Sequence, residues 1–347
     1  MDVANGTNVS NQELEENADT THRTLTQISL ASAALTIVLM MAIVGNLLVI
    51  LAIYKHPSLR EEQSNLLIVN LSITDLASAI FVMLSALISL IADEWIFNST
   101  FCDIICALNY CLIIVSMLTL CFIGYDRYQA VSFPLSYNAK VTKPKILAMI
   151  LYSWFQGISF CCVPPLLNWI QYDYWEAICA IQWHKEHEKA IYYVIMAFIM
   201  CFLIPGIILL VCYFHILCQV KQNSLQVNVI SPWANSQERK AHLKNTSCKT
   251  IISLLVVVLA YFICMTPFSA TKLLKVSFVN KKVVPHEVNL MAAIFGYISS
   301  AINPLIYGIF RKDFRNAYKR IIRICSQSTN SLIQSSRRSS KAAEMSV

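Results

Sequence analysis

Three short strings of this chain place groups that pair with ions, hold protons or break helices inside long apolar runs. Asp75 stands in Asn70-Leu71-Ser72-Ile73-Thr74-Asp75, Asp126-Arg127-Tyr128 closes another run, and Asn303-Pro304-Leu305-Ile306-Tyr307 lies in the last one. A carboxylate in hydrocarbon needs a cation, a proton or several donors, and an arginine there needs an anion, because neither finds water. Asn46, Ser116, Ser299, Ser300 and Asn303 offer oxygens and amides to Asp75, a set that suits a small hard cation such as sodium. A hydrogen-bonded network without an ion satisfies the same groups. No nucleophile, base and electrophile stand together in the pattern, so an enzyme is not expected and no cofactor is implied beyond that sodium ion.

The elements that must position these groups are membrane spans. The chain has 347 residues, 56% hydrophobic and 14% charged, whereas soluble domains carry charges on about a quarter of their residues. Crossing hydrocarbon takes about 20 apolar residues, and such runs fall at 28–54, 65–92, 102–127, 146–167, 191–218, 249–274 and 287–309. The expected fold is therefore all-α: a seven-transmembrane helix bundle over 28–310, an amphipathic helix over 311–325 and a disordered tail over 326–347. Pro205, Pro267 and Pro304 remove backbone donors from three spans and bend them.

Topology follows from the basic residues. Most of the 27 Lys and Arg fall in the segments after the first, third and fifth spans and in the tail, which places those on the cytoplasmic side. The N-terminus, residues 1–27, is then extracellular. The sequons at Asn5, Asn8 and Asn98 lie on that outer side and are glycosylation candidates. The net charge of +7 reads as topology and contact with anionic lipid, not as nucleic-acid binding. Of 13 cysteines most lie inside spans, and the outer pair Cys102 and Cys179 is expected to be bridged, with Cys106 one turn deeper as a competitor by spacing. His184-Lys185-Glu186-His187-Glu188 reads as a hydrated charged loop.

The landmarks Gly45-Asn46, Leu71 to Asp75, Cys102, Asp126-Arg127-Tyr128, Trp154, Pro205 with Tyr213, Cys264 with Pro267, and Asn303 to Tyr307 occur once each and in order. Over about residues 28–325 the chain resembles a rhodopsin-like (class A) G-protein-coupled receptor, and around Pro134 to Tyr137 it is most similar to amine-type and amine-like orphan receptors. The resemblance implies that an outer ligand biases a two-state bundle whose inner mouth opens to a heterotrimeric G protein. It implies that Arg127 is held by Asp126 at rest, that Tyr213 and Tyr307 meet it on activation, that Tyr128, Pro267 and Pro304 belong to the same switch, and that Leu135 enters the partner. Likeness to amine-like orphans points to Gs.

Three departures from the family pattern matter. Amine receptors carry an aspartate 18 residues before the span-three arginine, where this chain has Asn109, so salt-bridged amine recognition is in doubt and Asn109, Met265 and Tyr297 are the candidate ligand-pocket residues. The tryptophan usual two places before Pro267 is Met265. Where some relatives brace the arginine with a glutamate on the sixth span, this chain has Ser247, an under-braced resting state that leads one to expect basal signalling. In the tail, Cys325 is placed for palmitoylation as a second anchor, and serines from Ser326 onward are placed for a receptor kinase and arrestin. The rival class is an ion or solute transporter or channel built on Asp75 and the kinked helices, although the paired repeats of many transporters are not seen.

Overall fold

A computed structural model describes the backbone of residues 22–182, 187–229, 237–277, 284–324 and 326–327, and the side chains of all of these but 187–190, 220–229 and 237–254. Among the described residues, seven helical segments are long and apolar enough to cross a membrane: Leu25–Lys55, Asn65–Ala92, Ser99–Ser132, Lys143–Leu166, Ile191–Gln219, Leu255–Ser277 and His286–Phe310. They are called spans one to seven. The expected bundle is present, and its ends have local causes. Thr24 and Gln27 form a reciprocal cap at the start of span one, which stops where His56 turns extended before Pro57. Asn98 caps span three by accepting from the Phe101 amide at 2.8 Å, and its side chain remains exposed.

Span three is the central post: 72% of its most apolar window is buried, against 22% for span five. Small residues allow the close approaches around it. A Cβ on Gly157 of span four would stand 2.9 Å from Val115 and 3.1 Å from the Cys111 carbonyl oxygen, both on span three, whereas one on Gly206 of span five would meet nothing closer than 3.5 Å. Gly157→Val is therefore expected to lower stability by roughly 1–3 kcal/mol through overpacking. The check is the unfolding midpoint in detergent, with Gly206→Ala as the substitution that leaves it unchanged.

The prolines sit as their chemistry requires. Pro267 and Pro304 lie inside spans six and seven. Pro205 follows a π-helical turn, Ile199–Leu203, a widened stretch that absorbs the missing amide donor. Span two carries a similar turn at Ser78–Met83.

Two boundaries differ from the sequence reading. Span three continues to Ser132, so Asp126-Arg127-Tyr128 lies within a helix and not at its end. The polar segment 219–248 between the apolar runs of spans five and six is largely helical: one helix runs on to Val229 and the next begins at Gln237. Polar residues such as Gln and Lys are good helix formers, so loss of hydrophobicity marks the exit from hydrocarbon rather than the end of the helix.

At the opposite end, strands β1 (Ile170–Asp173) and β2 (Ile178–Ile181) pair antiparallel with Ile170 opposite Ile181 and Asp173 opposite Ile178. The Cys102–Cys179 disulfide ties β2 to the start of span three, and Cys106 is a buried free thiol, which decides between the two expected partners. Three successive side chains at the hairpin tip each hold a different element. Tyr174 stacks under Arg23 at 4.1 Å and donates to Asp93, Trp175 stacks on His286 at the head of span seven, and Glu176 pairs with Lys272 and Lys275 of span six.

After span seven a helix covers 312–324. Phe314, Ala317 and Ile321 turn inward while Ile322 and Ile324 are exposed, the two-faced pattern of a helix lying along the bundle. Asn5, Asn8, Cys325, most of the serine-rich tail and most of the His184–Glu188 string lie outside the described residues.

Candidate functional site

At the end of the bundle expected to face the cytoplasm, Arg127 is the centre of an ionic cluster. Its Nη2 donates to Glu62 Oε1 at 2.8 Å and to Ser64 Oγ at 2.5 Å. Its Nε lies 3.1 Å from Asp126 Oδ2, an ion-pair distance without hydrogen-bond alignment, since neither atom has a hydrogen-bond partner. Asp126 takes its aligned bond from Tyr137, whose hydroxyl donates to Oδ1 at 2.8 Å. Burial, together with the Asp126 carboxylate beside it, pushes the Tyr137 phenol up to about 12, so it remains a donor.

Glu62 is the member that sequence reasoning missed. Its second oxygen accepts from Arg311 at 3.2 Å and from Asn65 at 3.2 Å, so one carboxylate from the segment between spans one and two joins span three to the residue that follows span seven. Burial would raise its pKa, but the Arg127 and Arg311 guanidinium groups outweigh that and hold it at about 2. The available signal was an acid pair, Glu61-Glu62, in a segment whose other charges are basic.

The remaining switch candidates surround this cluster without joining it. Tyr213 and Tyr307 are buried, and neither hydroxyl has a partner. Tyr128 packs between Phe133 and His215. Leu135 is fully exposed at the inner surface. Pro304 lies against Gly45 of span one, where a Cβ would come within 2.9 Å, and its carbonyl accepts from Tyr318 at 3.4 Å.

In mid-bundle, Asp75 is buried and accepts from Asn303 Nδ2 at 2.9 Å. Asn46 donates to the Ser300 carbonyl at 3.0 Å, linking spans one and seven. Ser116 bonds Thr74 at 3.1 Å, and Ser299 donates to Gly296. The Oδ1 atoms of Asn46 and Asn303 are buried without partners, so two orphaned oxygens and a carboxylate occupy this region. That donor set fits a sodium ion, whose chemistry there would be to balance the Asp75 charge.

Toward the opposite end, the candidates Asn109, Met265 and Tyr297 come together: all three line a cavity of about 30 Å³ with Ser116, Ser299 and Ser300. Met265, Tyr261 and Phe268 also face a larger cavity of about 160 Å³ between spans three, five and six, roofed by Ile181 of β2. Lys272 lines that cavity, and nothing in the sequence analysis singled it out. It lies inside the apolar run of span six, and an ionisable residue in such a run is a functional candidate by default.

The chain resembles known proteins along most of its length. It is 27% identical over 322 residues to G-protein coupled receptor 161 of Xenopus tropicalis, covering 85% of this chain and 60% of that protein. It thus spans only about 60% of the length of that relative. It is 28% identical over 304 residues to 5-hydroxytryptamine receptor 4 of Homo sapiens, covering 83% of this chain and 78% of the relative. The crystal structure of squid rhodopsin superposes with a TM-score of 0.78 at 21% identity over 88% of each chain, a likeness that speaks for the fold. Residues 45–307, from Gly45 through the last helix to Tyr307, match the 7 transmembrane receptor (rhodopsin family) description, and the chain belongs to that family.

Proposed function

We propose that this protein is a cell-surface receptor, with its N-terminus outside and its C-terminus in the cytoplasm, that transmits occupancy of the outer cavity to a heterotrimeric G protein. One observation carries the reading. Span three is a single unbroken helix, Ser99–Ser132, with Asn109 in the outer cavity wall and Arg127 in the inner ionic cluster. The two are 18 residues and so about 27 Å apart. A rigid element that touches both sites can couple them, provided the inner cluster has two arrangements.

The inner cluster is the resting arrangement in this reading. Opening releases Arg127 from Glu62 and Asp126, lets Tyr213 and Tyr307 use their unpartnered hydroxyls, and exposes a surface to which Leu135 contributes. Gs is the proposed partner, on the likeness to amine-like orphan receptors. A sodium ion at Asp75 would favour the resting state. Basal output is set by Glu62, which supplies from the first inner segment the brace that Ser247, ahead of span six, cannot supply. Glycans at Asn5, Asn8 and Asn98, palmitate at Cys325, and tail contacts with a receptor kinase, arrestin and anionic lipid complete the proposal.

The test is guanine-nucleotide exchange on purified Gs with the receptor reconstituted in vesicles. Exchange above that of empty vesicles, lost in Arg127→Met, is the expected result. Ion flux through the same vesicles without exchange would overturn it in favour of a channel or transporter.

A further inference from the structure

The larger cavity is apolar apart from a few polar groups, and among its described lining residues one is charged, Lys272. Among the described residues, no carboxylate lines either that cavity or the smaller one beside it. The Lys272 side chain is 11% exposed, and its Nζ lies 5.0 Å from the centre of the Phe268 ring. An ammonium group so placed requires an anion, and Glu176 from the hairpin tip provides one with both carboxylate oxygens. Glu176 also accepts from Lys275 at 2.7 Å, and Lys275 in turn has Asp173 at 2.8 Å. Burial would raise the Glu176 pKa, and the two lysines beside it outweigh that and lower it, so the carboxylate stays ionised.

The cluster balances two carboxylates, Asp173 and Glu176, against two ammonium groups, and Glu176 touches both lysines. If Glu176 lets go of Lys272 it keeps Lys275, and if another carboxylate takes Lys272 no charge in the cluster is left bare. An ammonium ligand has no such place, because among the described lining residues it would face Lys272 with only amides, hydroxyls and aromatic rings for company. Resting on the receptor reading above, we propose that the ligand is an apolar carboxylate whose anionic end binds Lys272 in competition with Glu176, and that this exchange unlatches the β1–β2 hairpin from span six. The consequence is mechanical. Span six carries Pro267 little more than one helical turn inward of Lys272, so freeing its outer end from the hairpin frees the segment beyond the kink.

The experiment uses binding to the purified full-length receptor in lipid nanodiscs, with no G protein present. The probes are indole-3-acetate, indole-3-acetamide and tryptamine, which share a ring and differ in charge, with benzoate, benzamide and benzylamine as a smaller matched set. In at least one set the acid is expected to raise the unfolding midpoint and to bind about tenfold or more tighter than its amide and amine. Lys272→Met is expected to abolish that preference and Lys272→Arg to keep it. Glu176→Gln, which leaves Lys272 in place and weakens its competitor, is expected to bind the acid more tightly than the unmodified protein, an effect that a purely structural role for Glu176 would not produce. The proposal is overturned if an amine binds as tightly as its acid, if neither acid binds, or if Glu176→Gln weakens acid binding. Because nucleotide exchange is not part of the readout, failure of G-protein coupling and failure of carboxylate recognition remain distinguishable.

Discussion

Replacing Glu62 with glutamine should raise ligand-independent nucleotide exchange by about tenfold, an energy difference of about 1.4 kcal/mol in the equilibrium between latched and open bundles. The size follows from what the substitution removes. Glu62 accepts charge-assisted bonds from Arg127 and Arg311, each worth about 1.5–3 kcal/mol when well aligned, but its side chain is 34% exposed, so solvent screens the pair and the lower figure applies. Glutamine keeps the shape and one acceptor while discarding the charge, so the fold survives and Arg127 remains beside Asp126. The neighbouring exposed Glu61→Gln is the comparison that should leave output unchanged. Adding Arg127→Met to Glu62→Gln should abolish exchange altogether, since the freed guanidinium is the group proposed to act. Equal basal exchange by Glu62→Gln and unmodified receptor at matched surface expression would remove Glu62 from the latch.

That prediction rests on a residue the sequence did not reveal, and the reason is physical. Asp75, Arg127 and Asn303 were legible because each is a polar group in an apolar run, where its cost announces a role. Glu62 lies in a polar segment, where one more acid costs nothing, so the Glu61-Glu62 pair pointed to no particular partner. Only the fold shows that the segment tucks beneath span three and brings Glu62 within 2.8 Å of Arg127. Lys272 was obscured differently: it is near the end of its span, and a lysine at a helix end ordinarily extends to the interface. Here Phe268 and the hairpin close over it. The pocket trio Asn109, Met265 and Tyr297 was named from the family resemblance, by position relative to Arg127 and Pro267, whereas the hairpin that roofs the larger cavity depends on pairings distant in sequence. The same distinction explains the third inner segment. Hydropathy reports where lipid stops, and the helix is held by backbone bonds that continue into water.

The second large effect is expected at the bond that fixes that hairpin. Cys179→Ser removes the link between β2 and the start of span three, a closure of 77 residues. Removing a native disulfide from a small secreted domain costs roughly 2–5 kcal/mol, mostly through the freedom regained by the unfolded chain. The lower end applies here, because an unfolded state that keeps spans three and four in the bilayer already tethers the ends of the loop. The larger effect is on the outer cavity. Without the bond, β2 is held by the β1 ladder and by the tip contacts of Tyr174, Trp175 and Glu176, and Ile181, which roofs the cavity, loses its fixed position. Cys179→Ser should therefore lower the unfolding midpoint and weaken binding of the carboxylate probe about tenfold or more, while Cys106→Ser, at a buried free thiol, changes binding little. Mild reduction of the unmodified protein should reproduce the Cys179→Ser phenotype. If reduction lowers the midpoint but leaves probe binding untouched, the hairpin braces the fold without shaping the pocket, and the latch between Glu176 and Lys272 is not part of recognition.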